Sequence, residues 1–352
     1  MSRCYSTESI QDRLEILGLP FADFFARALV ALLTGRKISL HHVAHLMPGE
    51  QNGEANRQQM RRCLEHETLT QEAWSLAIAS LLPRTKWVLA LDRTEWKRGE
   101  TTINLLVLAV VAHGCAVPLL WTVMPDCGAS DTAERKELLG RFLALFGRER
   151  LRFVTADREF IGFEWVGWLL KERISFRIRI KANEYLLHGD GREKKARDWF
   201  AHRACKCKPQ RMELWGLLVY VGGKFLHAKE YLIVISNHPG ETGDLLTDYR
   251  ERWKIETLFQ ALKGRGFDLE SCRLSQQRRL SGWFGFLALG LCWCLKVGQS
   301  EDEKKPLPLK KHGRRAVSVF QRGLRRLQSL LSCLAGRPNN QQFKQAVILL
   351  SP

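Results

Sequence analysis

The sequence predicts an α/β protein in which a sheet-forming middle is flanked by helical regions. Three observations lead there. Apolar runs of strand length alternate with helix-spaced segments from Lys86 to Ile180. Residues Ile10 to Leu82, and those from Gln277 onward, have helical spacing. Between them, residues 184–230 carry turn signals and short apolar runs.

In the first helical region, Phe21–Leu33 is rich in apolar residues. Ser39 is placed to cap a short helix through Met47, and Pro48, Gly49, Asn52 and Gly53 read as a loop. Asn56 then caps a helix bearing Arg57, Arg61 and Arg62. Helix, loop and basic helix resemble a small DNA-reading module, and a helical cap with a solvated arginine face fits equally. His41 and His45 lie one turn apart, without an obvious third metal ligand.

In the middle, Trp87–Leu91 is a strand ending on Asp92, followed by strands Ile103–Ala112 and Val117–Val123. Ala133–Phe146 has helical spacing, Arg152–Ala156 is a strand ending on Asp157, Phe163–Lys171 is helical and Ile174–Ile180 alternates. Leu217–Val221 and Lys224–His227 around Gly222-Gly223 read as a hairpin, Tyr231–Ile235 as a strand and Pro239–Thr242 as a turn. A long helix extends from Asp244 to Lys263. The last helical region carries Lys304, Lys305, Lys310, Lys311, Arg314 and Arg315.

The 352 residues suffice for two or three compact units, and the 45% hydrophobic content is that of a folded chain. Lys and Arg number 55 against 37 Asp and Glu, a net charge of +18, which points to a polyanionic partner such as nucleic acid. None of the ten cysteines (Cys4, Cys63, Cys115, Cys127, Cys205, Cys207, Cys272, Cys292, Cys294, Cys333) forms the pairs, two residues between the thiols, of a structural zinc site. Met1–Asp12 lacks the apolar stretch of a signal peptide, and the run Trp283–Val297 is shorter than a bilayer span of about 20 residues. A reducing cytoplasmic setting and no membrane partner are expected.

One constellation carries chemistry. Two strands of similar composition each end in an aspartate, Asp92 and Asp157, where an acidic side chain can leave the core. In the later helix, Tyr249, Arg252, Glu256 and Lys263 fall on one face, opposite Ile255, Leu258 and Leu262. An Arg252–Glu256 pair on a solvated face explains that stripe alone. Two aspartates and a helical glutamate in so basic a chain point instead to phosphodiester chemistry. Hard cations favour oxygen ligands, and two of them can serve both the attacking and the leaving oxygen.

These residues resemble the DDE transposases of bacterial insertion-sequence family four, the hairpin-forming cut-and-paste enzymes. Their signature of Tyr, two residues, Arg, three residues, Glu, six residues and Lys is matched by Tyr249, Arg252, Glu256 and Lys263. Asp157 with Arg158, Glu159 and Phe160 resembles the second-aspartate block, and Asp92 with Thr94 and Trp96 the first. The resemblance implies a ribonuclease-H-like core with a β-rich insertion. It implies that Asp92, Asp157 and Glu256 are catalytic and hold two Mg2+ ions, for which Mn2+ can substitute. It also implies that Tyr249, Arg252 and Lys263 hold DNA phosphates, and that Tyr231 stacks on a flipped base where relatives often have Trp. Arg57 and Arg61 are further DNA-binding candidates. Partners are then the terminal inverted repeats and target DNA, with a homodimer in the synaptic complex of a bacterial, nucleoid-associated enzyme.

The expected organisation is a helical DNA-binding region (1–84), the first part of the core (85–183), the β-rich insertion (184–235), the remainder of the core with the signature helix (236–298), and a basic helical tail (299–352). The alternatives are a non-catalytic DNA-binding descendant of such an enzyme and a free-standing metal nuclease.

Overall fold

A computed structural model describes residues 5–35, 39–98, 100–124, 128, 130–200, 208–226, 230–240, 244–264, 266–272, 274, 276–310, 315–333 and 341–352. Helices α1 (Tyr5–Ile16), α2 (Ala22–Thr34), α3 (Leu40–Leu46), α4 (Gly53–Glu65) and α5 (Gln71–Ser80) open the chain. Local capping sets several of their starts. The side chains of Ser39, Asn52 and Thr70 accept from the backbone N–H groups of His42, Ala55 and Ala73. Asn56 is not the cap that its position suggests. Because Asn52 starts α4 a turn earlier, Asn56 falls on the inner face, buried, and its Nδ2 donates to the Ala44 carbonyl at 3.1 Å.

The sheet begins with an antiparallel meander of β1 (Trp87–Arg98), β2 (Thr101–Ala112) and β3 (Cys115–Met124). Asp131 and Glu134 form a capping box that starts α6 (Thr132–Phe146). The chain then returns through β4 (Leu151–Ala156), α7 (Phe163–Lys171) and β5 (Phe176–Arg179), so that β1, β4 and β5 run parallel side by side. Next come β6 (Tyr185–His188), β7 (Glu193–Lys195), α8 (Ala196–Phe200), β8 (Gln210–Leu214), β9 (Leu217–Phe225) and β10 (Tyr231–Ser236). All ten strands form one sheet in the order β3-β2-β1-β4-β5-β10-β9-β8-β6-β7. The strands of residues 184–235 therefore extend the central sheet, with β10 pairing antiparallel to β5.

Gly222-Gly223 is not a hairpin turn, since β9 runs straight through it. The reversal lies at Trp215-Gly216, where both residues have positive φ. The two glycines answer to close approach instead. A Cβ at Gly223 would meet the Phe200 ring at 2.8 Å, and one at Gly222 would touch Leu245 at 3.5 Å.

The helix expected over Asp244–Lys263 is broken. It comprises α9 (Leu245–Tyr249), a tighter 3-10 turn at Arg250–Arg252, and α10 (Trp253–Leu262). Lys263 has left the helix, with φ −91° and ψ −147°. Three helices close the chain: α11 (Gln277–Lys304), α12 (Val319–Cys333) and α13 (Gln341–Ile348). The apolar run Trp283–Val297 sits within α11, whose 28 residues are enough to span a bilayer. However, 89% of the most apolar window is buried among α4, α5, α12 and β3, so α11 is a core helix of this fold. The N-terminal and C-terminal helices thus pack together and share one hydrophobic core with the sheet.

Of the cysteines, Cys63, Cys115, Cys272, Cys292 and Cys294 are buried free thiols. Cys4, Cys127, Cys205, Cys207 and the Cys333 side chain lie outside the described residues, as do Lys311, Arg314 and part of the expected turn at 239–242.

Candidate active site

Asp92 is not at a strand end, because β1 continues to Arg98 along β2. What ends beside it is the parallel ladder with β4, whose last pair is Leu91 with Ala156. Asp92 and Asp157 therefore emerge next to each other, at the C-terminal ends of two paired parallel segments. Each is fixed by local backbone. Oδ1 of Asp92 accepts from the Arg93 N–H at 2.9 Å, and Oδ1 of Asp157 accepts from the Arg158 N–H at 2.8 Å. The Tyr249 hydroxyl also donates to Asp157 Oδ1, at 3.2 Å.

The 3-10 turn aims Arg252 at both aspartates. Its guanidinium is buried, with Nη1 3.4 Å from Asp92 Oδ2. Nη2 lies 2.7 Å from Glu256 Oε1 and 3.9 Å from Asp157 Oδ2. Three carboxylates from three elements thus share one cation. Asp92 has the least water, its side chain being 16% exposed. Burial pushes its carboxyl up to about 6, against the lowering pull of the Arg93 N–H and Arg252, while Glu159 and Asp157 add repulsion. Burial also raises the Tyr249 hydroxyl. Burial works against the Arg252 charge, but Tyr249, Asp157, Glu256 and Asp92 outweigh it, and the guanidinium is held more firmly charged than usual.

The donor set is three carboxylates, which as hard oxygen ligands suit Mg2+ or Mn2+. Among the described residues, no three His, Cys, Asp or Glu side chains are gathered closely enough to grip one ion as they stand. The Arg252 guanidinium occupies the place between them and supplies the positive charge that three converging carboxylates need. The donors fit a divalent cation once that guanidinium yields.

The other candidates fall at varied distances from this cluster. Lys263 Nζ donates to the Glu95 carbonyl at 2.8 Å and pairs with Glu270 at 3.4 Å, so it is tied to the outer half of β1. Tyr231 opens β10 just beyond the C-terminal end of β5, the same edge of the sheet as Asp157. It is half-buried, edge-on to Phe225 at 5.3 Å, and its carbonyl accepts from Arg179. Arg57 and Arg61 lie on α4 in the helical layer and do not join the carboxylates. Arg57 is paired with Glu54, and Arg61 has its Nε buried without a hydrogen-bond partner among the described residues. The His41 and His45 rings lie 4.0 Å apart and tilted, with no third ligand gathered among the described residues.

Two neighbours escape a reading by spacing alone. Trp253 is 58% exposed, with the Arg252 guanidinium 5.3 Å from its ring. An apolar residue out of phase with the buried face of Ile255, Leu258 and Leu262 was its signal. Arg93 joins Glu159 at 3.1 Å, Glu95 at 3.8 Å and the Gly128 carbonyl, and so rims the cluster. Nothing local marks its place at the rim, because Glu159 and Gly128 are distant in sequence.

Among known proteins, no curated protein matches the chain. The cryo-EM structure of a piggyBac transposase synaptic complex with hairpin DNA aligns with a TM-score of 0.44 at 11% identity, over 99% of this chain and 83% of that one. The family model described as "Transposase DDE domain" matches residues 83–293, a span that contains Asp92, Asp157 and Glu256. With well over half of its length matched, the chain belongs to the transposase DDE-domain family.

Proposed function

We propose that this protein is a DNA transposase that cleaves DNA at transposon ends and joins the freed 3′-hydroxyl to target DNA. The observation that carries the reading is the convergence of Asp92, Asp157 and Glu256, from β1, the end of β4 and α10, on one guanidinium. In this reading the core is ribonuclease-H-like, of the insertion-sequence family-four type. The three carboxylates hold two Mg2+ ions, or Mn2+ in their place. When bound, the metal lowers the pKa of an attacking water and stabilises the leaving oxygen.

The chain's own groups prepare that site. The Arg93 and Arg158 N–H groups and the Tyr249 hydroxyl fix the orientation of the two aspartates. Arg252 balances the carboxylates in the resting protein and is positioned, with Lys263, to meet phosphate oxygens when DNA arrives. Tyr231, on the same edge of the sheet, is the candidate for stacking on an unpaired base. Arg57 and Arg61 of α4 are candidates for DNA contacts away from the chemistry. The partners are terminal inverted repeats and target DNA, held by a homodimer, in a bacterial cytoplasm at the nucleoid.

A second reading, a non-catalytic DNA-binding descendant, draws on the guanidinium that fills the space between the carboxylates. One assay separates the two: Mg2+-dependent nicking of supercoiled plasmid by the wild type and by Glu256→Gln. The transposase reading expects nicking that falls by at least 100-fold in the variant, with DNA binding retained. Equal rates for both proteins would overturn the site.

A further inference from the structure

Strands β1 and β4 begin side by side, with Trp87 opposite Leu151, and β5 begins three residues further along, with Phe176 opposite Val154, so that the chain entering β5 runs past the start of β4. The segments that feed them therefore meet at one pole of the sheet, opposite the edge from which Asp92 and Asp157 emerge. The five residue steps from Trp87 to Asp92 separate the two by about 17 Å.

Those segments, with the start of β4 and the end of α7, carry Arg84, Lys86, Arg150, Arg152, Lys171 and Arg173, all exposed except the half-buried Arg150. Arg148 is held by Glu172 at 3.6 Å, and Glu149 is the other carboxylate of these segments. Aromatic rings steady two of the cations: Arg150 lies 5.3 Å from Trp87 and Arg152 5.7 Å from Phe153. Arg173 closes α7 with φ 52°, a left-handed conformation that favours glycine. An arginine stands there at a conformational cost that glycine would avoid.

We propose that this pole is a second DNA-binding surface, which grips the phosphates of a duplex without regard to sequence and apart from DNA at the carboxylates. Three adjacent strand starts span about 10 Å, a length along which duplex DNA carries about six phosphate charges. The surface offers cations in comparable number, with few carboxylates among them. The proposal takes its partner class from the transposase reading, but its site shares no residue with the carboxylate cluster.

The test uses the full chain in EDTA and a fluorescent 30-base-pair duplex of arbitrary sequence, with anisotropy titrations from 50 to 300 mM salt. Each phosphate contact contributes about 0.9 to the slope of log affinity against log salt. The triple variant Arg84→Ser, Lys86→Ser, Arg152→Ser should lower that slope by about 2–3, or about 0.9 per contact. Arg173→Gly should lower it by about one while melting no lower than the wild type, because glycine suits its backbone. A lower melting point with an unchanged slope would show that Arg173 only supports the fold. Unchanged slopes in both folded variants would overturn the proposal. So would a loss of affinity for single-stranded RNA with duplex binding intact. If the wild type fails to nick plasmid with Mg2+ while the variants still lower the slope, the transposase reading fails and the DNA-binding pole stands. Nicking at the normal rate with unchanged slopes would mean the reverse: the transposase reading stands and the DNA-binding pole fails.

Discussion

Asp92 gives up most of its hydration to stand beside Asp157, and its acid form is favoured by folding. Its carboxyl rises from an ordinary 3.8 to about 6. The stabilisation linked to this group is complete below pH 3.8 and is lost as the pH rises through about 6. A rise of that size is linked to stability on the order of 2–3 kcal/mol. In chelator, the wild type should therefore lose stability between about pH 4 and pH 6.5 relative to Asp92→Asn, measured by thermal melts of both proteins. Parallel curves would mean that Asp92 is solvated more fully than its burial implies. Arg252 is the counterpart. In Arg252→Ala the carboxylates keep their places and lose their shared cation, so the metal-free protein should be less stable by about 2 kcal/mol, a buried-pair effect reduced by partial exposure of Glu256 and Asp157. Mg2+ or Mn2+ should raise its melting temperature by more than it raises that of the wild type. A smaller rise would mean that the guanidinium does not compete with cations for this place.

At the scale of elements, the segment that delivers Arg252 is anchored one turn earlier. Arg177 of β5 and Asp248 of α9 are both buried and pair at 3.0 Å. Arg177 also donates to Ser236 Oγ at 2.7 Å and lies 4.9 Å from the Phe153 ring. This link ties α9 to β5 and β10, so the 3-10 turn after it starts from a fixed point. Asp248→Ala should destabilise the protein by about 3–5 kcal/mol, because the buried guanidinium loses its carboxylate partner. Replacing both residues, Arg177→Met with Asp248→Leu, should recover most of that loss. Urea midpoints of the single and double variants decide it: a double variant no better than the single would show that the pair is needed for more than its charge balance. The end of α10 explains why helical spacing misplaces Lys263. Glu256 keeps its place one turn after Arg252, whereas α10 ends at Leu262 and Lys263, with φ −91° and ψ −147°, lies outside the helix that the stripe assumes.

Across the whole molecule, α11 joins the two chain ends to the sheet. Its crossing with α12 is made by glycines: a Cβ at Gly323 would lie 1.8 Å from the Cys294 carbonyl oxygen, and one at Gly298 would lie 2.0 Å from that of Val319. Gly323→Ala must push the helices apart and should lower stability by about 1–3 kcal/mol, an overpacking cost. Gly140→Ala in α6, where no atom lies within 4 Å of the added Cβ, should instead stabilise by about 0.5–1 kcal/mol. Calorimetry on the pair of variants tests whether the crossing or helix propensity governs; a gain in both would mean that α11 and α12 have room to separate at no cost. The first five helices share a hydrophobic core with α11 and α12.

What the sequence determined by itself was local. Alternation and helical spacing marked the strands that pair as β1 to β5, because each side chain's face follows from backbone period alone. Ser39 starts a helix through a bond spanning three residues, and the aspartates stand out because each comes directly after an apolar strand run. Tertiary structure decided what depends on distant neighbours. The ring of Phe200 over Gly223 makes a turn signal into a strand. The β4 partner, ending at Ala156, sets Asp92 at the close of a ladder although its own strand continues. The meeting of Arg252 with Asp92, 160 residues away in sequence, arises only when α9 and its 3-10 turn pack across the sheet. Spacing along a chain cannot encode such contacts, since they depend on how whole elements pack against one another.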